Sequence, residues 1–138
     1  MLQRIQSIWL LLAAGFDAVT FRFPFANGDY IKDTFQAPID LNATTTIWLT
    51  IISIFAGVLA FANIFLFSNR PLQLKLCYLG IGLSVLLLVM YFLERENFIN
   101  GTISVWVVFY FAILACFILA ARGIRNDEKL IKSMDRLR

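Results

Sequence analysis

The chain contains no histidine, so it lacks the commonest metal ligand and the one side chain that titrates unperturbed near neutral pH. That argues against a catalytic triad, a zinc site or a haem site, and no cofactor or metal is expected. Cysteine is almost as scarce. Cys77 and Cys116 stand singly inside apolar runs with no CxxC spacing, and read as small polarizable packing residues rather than redox partners. Charged residues make up only 15% of the chain. The net charge of +3 is distributed too unevenly to suggest nucleic-acid binding.

What the chain has in abundance is apolar length. Hydrophobic residues are 60% of its 138 residues and mean hydropathy is +0.78, more apolar surface than a soluble domain of this size can hide. Four runs, at about residues 7–25, 45–67, 76–93 and 103–121, each approach the ~20 helical residues that cross a hydrocarbon layer about 30 Å thick. The expectation is one membrane domain over residues 1–138, an all-α, antiparallel four-transmembrane-helix bundle. Short links make it run up-down-up-down. The first run reads as an uncleaved signal-anchor, its apolar part being too long for a signal peptide, and Pro24 is expected to end it. In the following loop Asn27-Gly28 reads as a turn, and alternating apolar and acidic residues suggest a short structured segment.

Charge gives the orientation. One side of such a bundle carries Arg4, Arg70, Lys75, Arg122, Arg125, Lys129, Lys132, Arg136 and Arg138, and the other only Arg22, Lys32 and Arg95 beside Asp29, Asp33, Asp40, Glu94 and Glu96. The positive-inside rule places both termini in the cytoplasm. Trp48, Trp106 and Tyr91 fall at the outer level and Trp9 at the inner, where aromatic rings favour headgroups. Small residues recur at four-residue spacing, as in Ser53/Gly57, Ala56/Ala60, Gly80/Ser84 and Ala112/Cys116/Ala120. That spacing lets helix backbones approach closely in lipid.

Polar residues at depth are the candidate sites. Asp17 sits about ten positions into the first run, where an aspartate costs about 2.5–3.5 kcal/mol. It is read as paired with Arg22 or protonated, with proton or cation coupling as the functional alternative. Asn63 is read as an interhelical hydrogen-bonding group. After the fourth run, Asn126 reads as an N-cap with Asp127 and Glu128 in the first turn. Leu130, Ile131, Met134 and Leu137 then form one apolar stripe among Lys129, Lys132, Arg136 and Arg138. A short amphipathic cytoplasmic helix at 126–138, with Arg122 and Arg125 just before it, would bind the membrane surface or a partner's groove.

Three stretches carry a resemblance. The opening is Met1-Leu2-Gln3-Arg4-Ile5-Gln6-Ser7-Ile8-Trp9-Leu10-Leu11-Leu12-Ala13-Ala14. The centre is Ala62-Asn63-Ile64-Phe65-Leu66-Phe67 with Leu72-Gln73-Leu74-Lys75-Leu76-Cys77. The close is Ala121-Arg122-Gly123-Ile124-Arg125-Asn126-Asp127-Glu128-Lys129-Leu130-Ile131, then Asp135-Arg136-Leu137-Arg138. Together they resemble domain of unknown function family 4293, small bacterial integral membrane proteins, across essentially the whole chain. The resemblance implies a Gram-negative inner membrane, four spans and no assigned activity.

The combined expectation is a non-enzymatic subunit, an accessory or scaffold component of a larger inner-membrane complex in translocation, secretion or envelope machinery. Its partners would be the lipid bilayer and other inner-membrane subunits, with no nucleic acid. The alternative is a small transporter or channel using Asp17. The nine-to-three charge split fixes one orientation and weighs against an inverted pair of the kind small multidrug exporters form.

Overall fold

A computed structural model describes residues 3–32 and 35–138. Asp33, counted above among the outer acids, and the opening Met1-Leu2 lie outside the described residues. Four helices dominate: α1 (Gln3–Thr20), α2 (Ile47–Phe65), α3 (Arg70–Arg95) and α4 (Val107–Arg136). Each packs on its neighbours in a closed ring, α1 on α2 and α4, and α3 on α2 and α4. α2, α3 and α4 are long and apolar enough to cross a membrane, while the apolar part of α1, Ile5–Thr20, is shorter. Their outward faces carry Ile51, Phe55, Val58, Phe61, Leu86, Val89, Phe111 and Ile118, all exposed. An apolar surface this extensive belongs in lipid.

The fold is not purely helical, which corrects the all-α expectation. Strands β1 (Ala26–Lys32), β2 (Phe35–Leu41) and β3 (Phe98–Ile103) form an antiparallel sheet in the order β2-β1-β3. β1 pairs with β2 from Ala26↔Leu41 to Lys32↔Phe35, and with β3 from Ala26↔Ile103 to Tyr30↔Phe98. Both connections at this end of the bundle therefore merge into one element. Pro38 is tolerated because β2 is an edge strand, where a missing N–H breaks no ladder. Asn27-Gly28 is no turn but part of β1, at a register shift between Asn27 and Asp29. There a Cβ on Gly28 would stand 3.0 Å from Gly101 Cα, so the close backbone approach requires glycine.

The sheet is tied into the bundle end. Phe25 N–H donates to Leu41 O (2.6 Å), Ser104 N–H to Phe25 O (3.1 Å) and Ala43 N–H to Thr20 O (3.2 Å). The Phe25 ring plugs the helices, stacked on Tyr91 (centroids 5.1 Å) and edge-on to Tyr110 (5.1 Å). Tyr91, expected at the headgroup level, is thus fully buried.

Three helix ends differ from expectation: α3 begins at Arg70 rather than 76, with Pro71 in its first turn, and the others are the end of α1 and the start of α4. α1 stops at Thr20, ahead of Pro24, and is followed by a turn through Phe23, where Phe23 N–H still reaches Val19 O at 3.0 Å. The residue before a proline disfavours the helical region, so the chain leaves the helix early. α4 begins at Val107 rather than 103 because Phe98–Ile103 is committed to the sheet. It then runs unbroken to Arg136, 30 residues or ~45 Å. No separate amphipathic helix starts at Asn126, which lies mid-helix.

Candidate functional sites

Inside the bundle, two apolar clusters fill the halves, one around Leu10, Leu59, Ile113 and Phe117, the other around Phe25, Leu49, Leu87 and Tyr91. Where they meet, all four helices contribute polar groups to one small cavity: Asp17 and Thr20, Ser53, Ser84 with Tyr91, and Tyr110. Some of these groups are satisfied locally. Thr20 Oγ1 donates to Asp17 O (2.6 Å), Ser84 Oγ to Gly80 O (2.8 Å) and Tyr110 OH to Phe23 O (2.8 Å). Three are not. Asp17 Oδ1, Ser53 Oγ and Tyr91 OH are buried without a hydrogen-bond partner among the described residues. Each such atom costs about 1–3 kcal/mol. The cavity volume of about 10 Å³ is on the scale of the ~10–15 Å³ a single bridging water needs.

Gly57 makes this arrangement possible. A Cβ there would stand 2.5 Å from Asp17 Oδ2, so the carboxylate occupies the notch that the absent side chain leaves. No ion pair joins Asp17 to Arg22, which is exposed. Arg22 lies past the end of α1, in the turn that leads to Pro24, and is exposed, whereas Asp17 is buried within the bundle. The expected pairing is corrected on that ground.

Asn63 lies at the other end of α2, away from Asp17. Its Nδ2 donates to Gln73 O (3.3 Å) and Cys77 Sγ (3.1 Å), and Gln73 Nε2 donates back to Asn63 O (3.2 Å). These bonds lock the α2–α3 hairpin. Asp17, Arg22 and Asn63 are therefore three separate places, not one site.

The candidate tail is built differently from expectation. Asp127 caps nothing: its Oδ2 accepts a hydrogen bond from Gln6 Nε2 on α1, and both side chains are buried. Gly123 permits the approach, since a Cβ there would lie 3.0 Å from Gln6 Cγ. On α4 the core-facing residues Ile113, Phe117, Ala120, Ile124 and Asp127 are spaced by alternating steps of four and three, the period of a coiled-coil seam. Two further steps reach Ile131 and Met134, which are 38% and 63% exposed. The stripe with Leu130 and Leu137 is thus the core seam continued past the point where α1 meets it. Sequence reading missed Gln6 and Asp127. The signal was the four-three spacing itself, which puts an aspartate in a core position.

Lys132 forms an i,i+4 pair with Glu128 at 2.9 Å, worth only ~0.3–0.5 kcal/mol where exposed. Arg122, Arg125 and Lys129 face the α3 side beside Tyr78, lining a groove of about 430 Å³. Arg136 and Arg138 are exposed at the tip.

A family model described as Domain of unknown function (DUF4293) matches residues 2–137. The chain belongs to that family. No curated protein and no solved structure matches it. The matched residues include the bundle, the sheet and the α4 extension alike.

Proposed function

We propose that this family member is a non-enzymatic subunit of a larger bacterial inner-membrane assembly, an accessory or scaffold component of translocation, secretion or envelope machinery. In this reading it crosses the membrane four times, with both termini in the cytoplasm. It docks a partner subunit's helix on the extended seam of α4. The observation that carries the reading is the uncovered continuation of a core seam. Ile131 and Met134 continue the spacing of the core positions and are exposed among the described residues. A second helix laid there would bury them in the same four-three register that α1 and α3 use one turn earlier. Continuity with the membrane span supports a protein occupant, because a helix running straight out of the bundle does not turn its stripe into the headgroup plane.

The transporter alternative draws on Asp17, but a cavity the size of one water, beneath the Phe25, Tyr91 and Tyr110 rings, gives a substrate no room. The docking reading is favoured for that reason.

The test is the full-length protein carrying Ile131→Glu and Met134→Glu, purified in mild detergent from its native membrane. Insertion stays intact while co-purifying subunits disappear. A truncation after Glu128, which keeps the Gln6–Asp127 bond, gives the same loss. Recovery of identical partners at wild-type yield from both proteins overturns the reading.

A further inference from the structure

At the end of the bundle that carries both termini, α3 and α4 part to leave the groove of about 430 Å³ noted above. That volume is within the range of ligand pockets. Its lining divides sharply by chemistry. Toward the bundle are Ile81 and Ile118, and toward the helix ends are Arg122, Arg125 and Lys129, with Tyr78 on the opposite wall. None of the three cations takes part in an ion pair among the described residues, because the pair that α4 makes uses Lys132 and Glu128. Helical rise places Arg122 about 22 Å and Lys129 about 33 Å beyond Val107. With the outer edge of a hydrocarbon layer about 30 Å thick set at Val107, where α4 begins, the basic cluster straddles the inner edge while Ile118 remains within it. Tyrosine at that depth suits the interface as well.

We propose that this groove binds one anionic glycerophospholipid of the inner leaflet. Arg122, Arg125 and Lys129 surround its phosphate, and the first part of an acyl chain lies along Ile81 and Ile118. Guanidinium groups suit the phosphate because their paired N–H donors match two oxygens at once. The apolar wall decides the source. It continues onto the exposed apolar surface of α3 and α4, where Val85, one turn from Ile81, and Phe111, two turns from Ile118, are exposed, and a free phosphate would leave that wall unused. Basic pockets between spans on the cytoplasmic side are a recurrent lipid-headgroup device. The inference rests on the proposed membrane residence with both termini cytoplasmic, and not on the docking of the α4 seam.

The test is native mass spectrometry of the full-length protein in neutral detergent, titrated with phosphatidylglycerol and, separately, phosphatidylcholine. The wild type retains one phosphatidylglycerol in preference to phosphatidylcholine. Arg122→Gln with Arg125→Gln weakens that retention by about 10-fold or more, at the strength of two interfacial charges. Arg136→Gln with Arg138→Gln, which removes equal charge from the same helix, changes it by less than about 2-fold, since those residues lie beyond the groove. Thermal unfolding of both variants confirms that the bundle is intact. Equal losses in the two variants would mean diffuse attraction and overturn the site. So would no preference for the anionic lipid, or displacement of the lipid by millimolar inorganic phosphate.

Discussion

Gly57→Ala tests whether Asp17 is held by shape. The added methyl would stand 2.5 Å from Asp17 Oδ2, against about 3.4 Å for ordinary contact, so the carboxylate must retreat by roughly 0.9 Å. Overpacking of this kind costs about 1–3 kcal/mol. Replacing glycine in a helix interior returns about 1 kcal/mol, so the net effect is a destabilisation of roughly 0–2 kcal/mol. In an Asp17→Ala background the overlap is gone and only the helix preference remains, so the same Gly57→Ala change becomes neutral or stabilises by up to about 1 kcal/mol. The coupling between the positions is then about 1–3 kcal/mol. Asp17→Asn keeps the side-chain volume and keeps the penalty. Denaturation of the four proteins in detergent, followed by loss of helical ellipticity, measures the cycle. If Gly57→Ala has the same effect in both backgrounds to within ~0.5 kcal/mol, the level of simple additivity, the notch does not seat the carboxylate and the reasoning is refuted.

Two further changes probe the helix contacts. Asp127→Ala leaves the buried Gln6 amide without its acceptor, at a cost of about 1–3 kcal/mol. It also frees the α4 extension, so limited trypsin digestion at Arg125 and Lys129 accelerates; an unchanged digestion pattern would mean the bond does not hold the two helices. Gly80→Ala drives a methyl into the buried Phe117 ring at the α3–α4 contact and destabilises the bundle by about 1–3 kcal/mol. Adding Phe117→Leu should recover part of that loss in the same unfolding assay, and no recovery would put the strain elsewhere.

The helices were legible because lipid-spanning segments announce themselves by composition over some 20 residues. Their ends were not, because local signals lost to distant contacts. Asn126-Asp127-Glu128 has every mark of a helix start. Asp127 nevertheless faces Gln6, 121 positions away in sequence, and the helix runs through. Gly123, a poor helix former by intrinsic preference, is the place where α1 comes close. The sheet was illegible for a related reason. Residues 26–32 are too mixed in polarity to show a strand period, and their partner β3 arrives from a loop some 70 residues later, a pairing no window of sequence contains. Asp17 was legible as an oddity, and its surroundings were not. Ser53 and Tyr91 line the same cavity from other helices, whereas Arg22, its nearest cation in sequence, is exposed beyond the end of α1.

The two ends of the molecule are finished to different degrees, and both proposals above fall at the less finished end. At the sheet end, both inter-helix connections are consumed in one hydrogen-bonded element, and Phe25 closes the helix ends with stacked rings. At the other end α4 outruns the bundle, exposing the seam at Ile131 and Met134 and the basic groove at Arg122 and Arg125. These two features do not compete. Arg122 and Ile131 are nine residues apart, as are Arg125 and Met134, and nine steps of ~100° turn a helix through half a circle. The proposed lipid site and the proposed docking seam therefore lie on opposite faces of one rod, so the variants that abolish one should leave the other untouched. Glutamates at 131 and 134 should preserve phosphatidylglycerol retention, and glutamines at 122 and 125 should preserve co-purifying subunits. Loss of both functions from either pair would mean that one surface, not two, is being read.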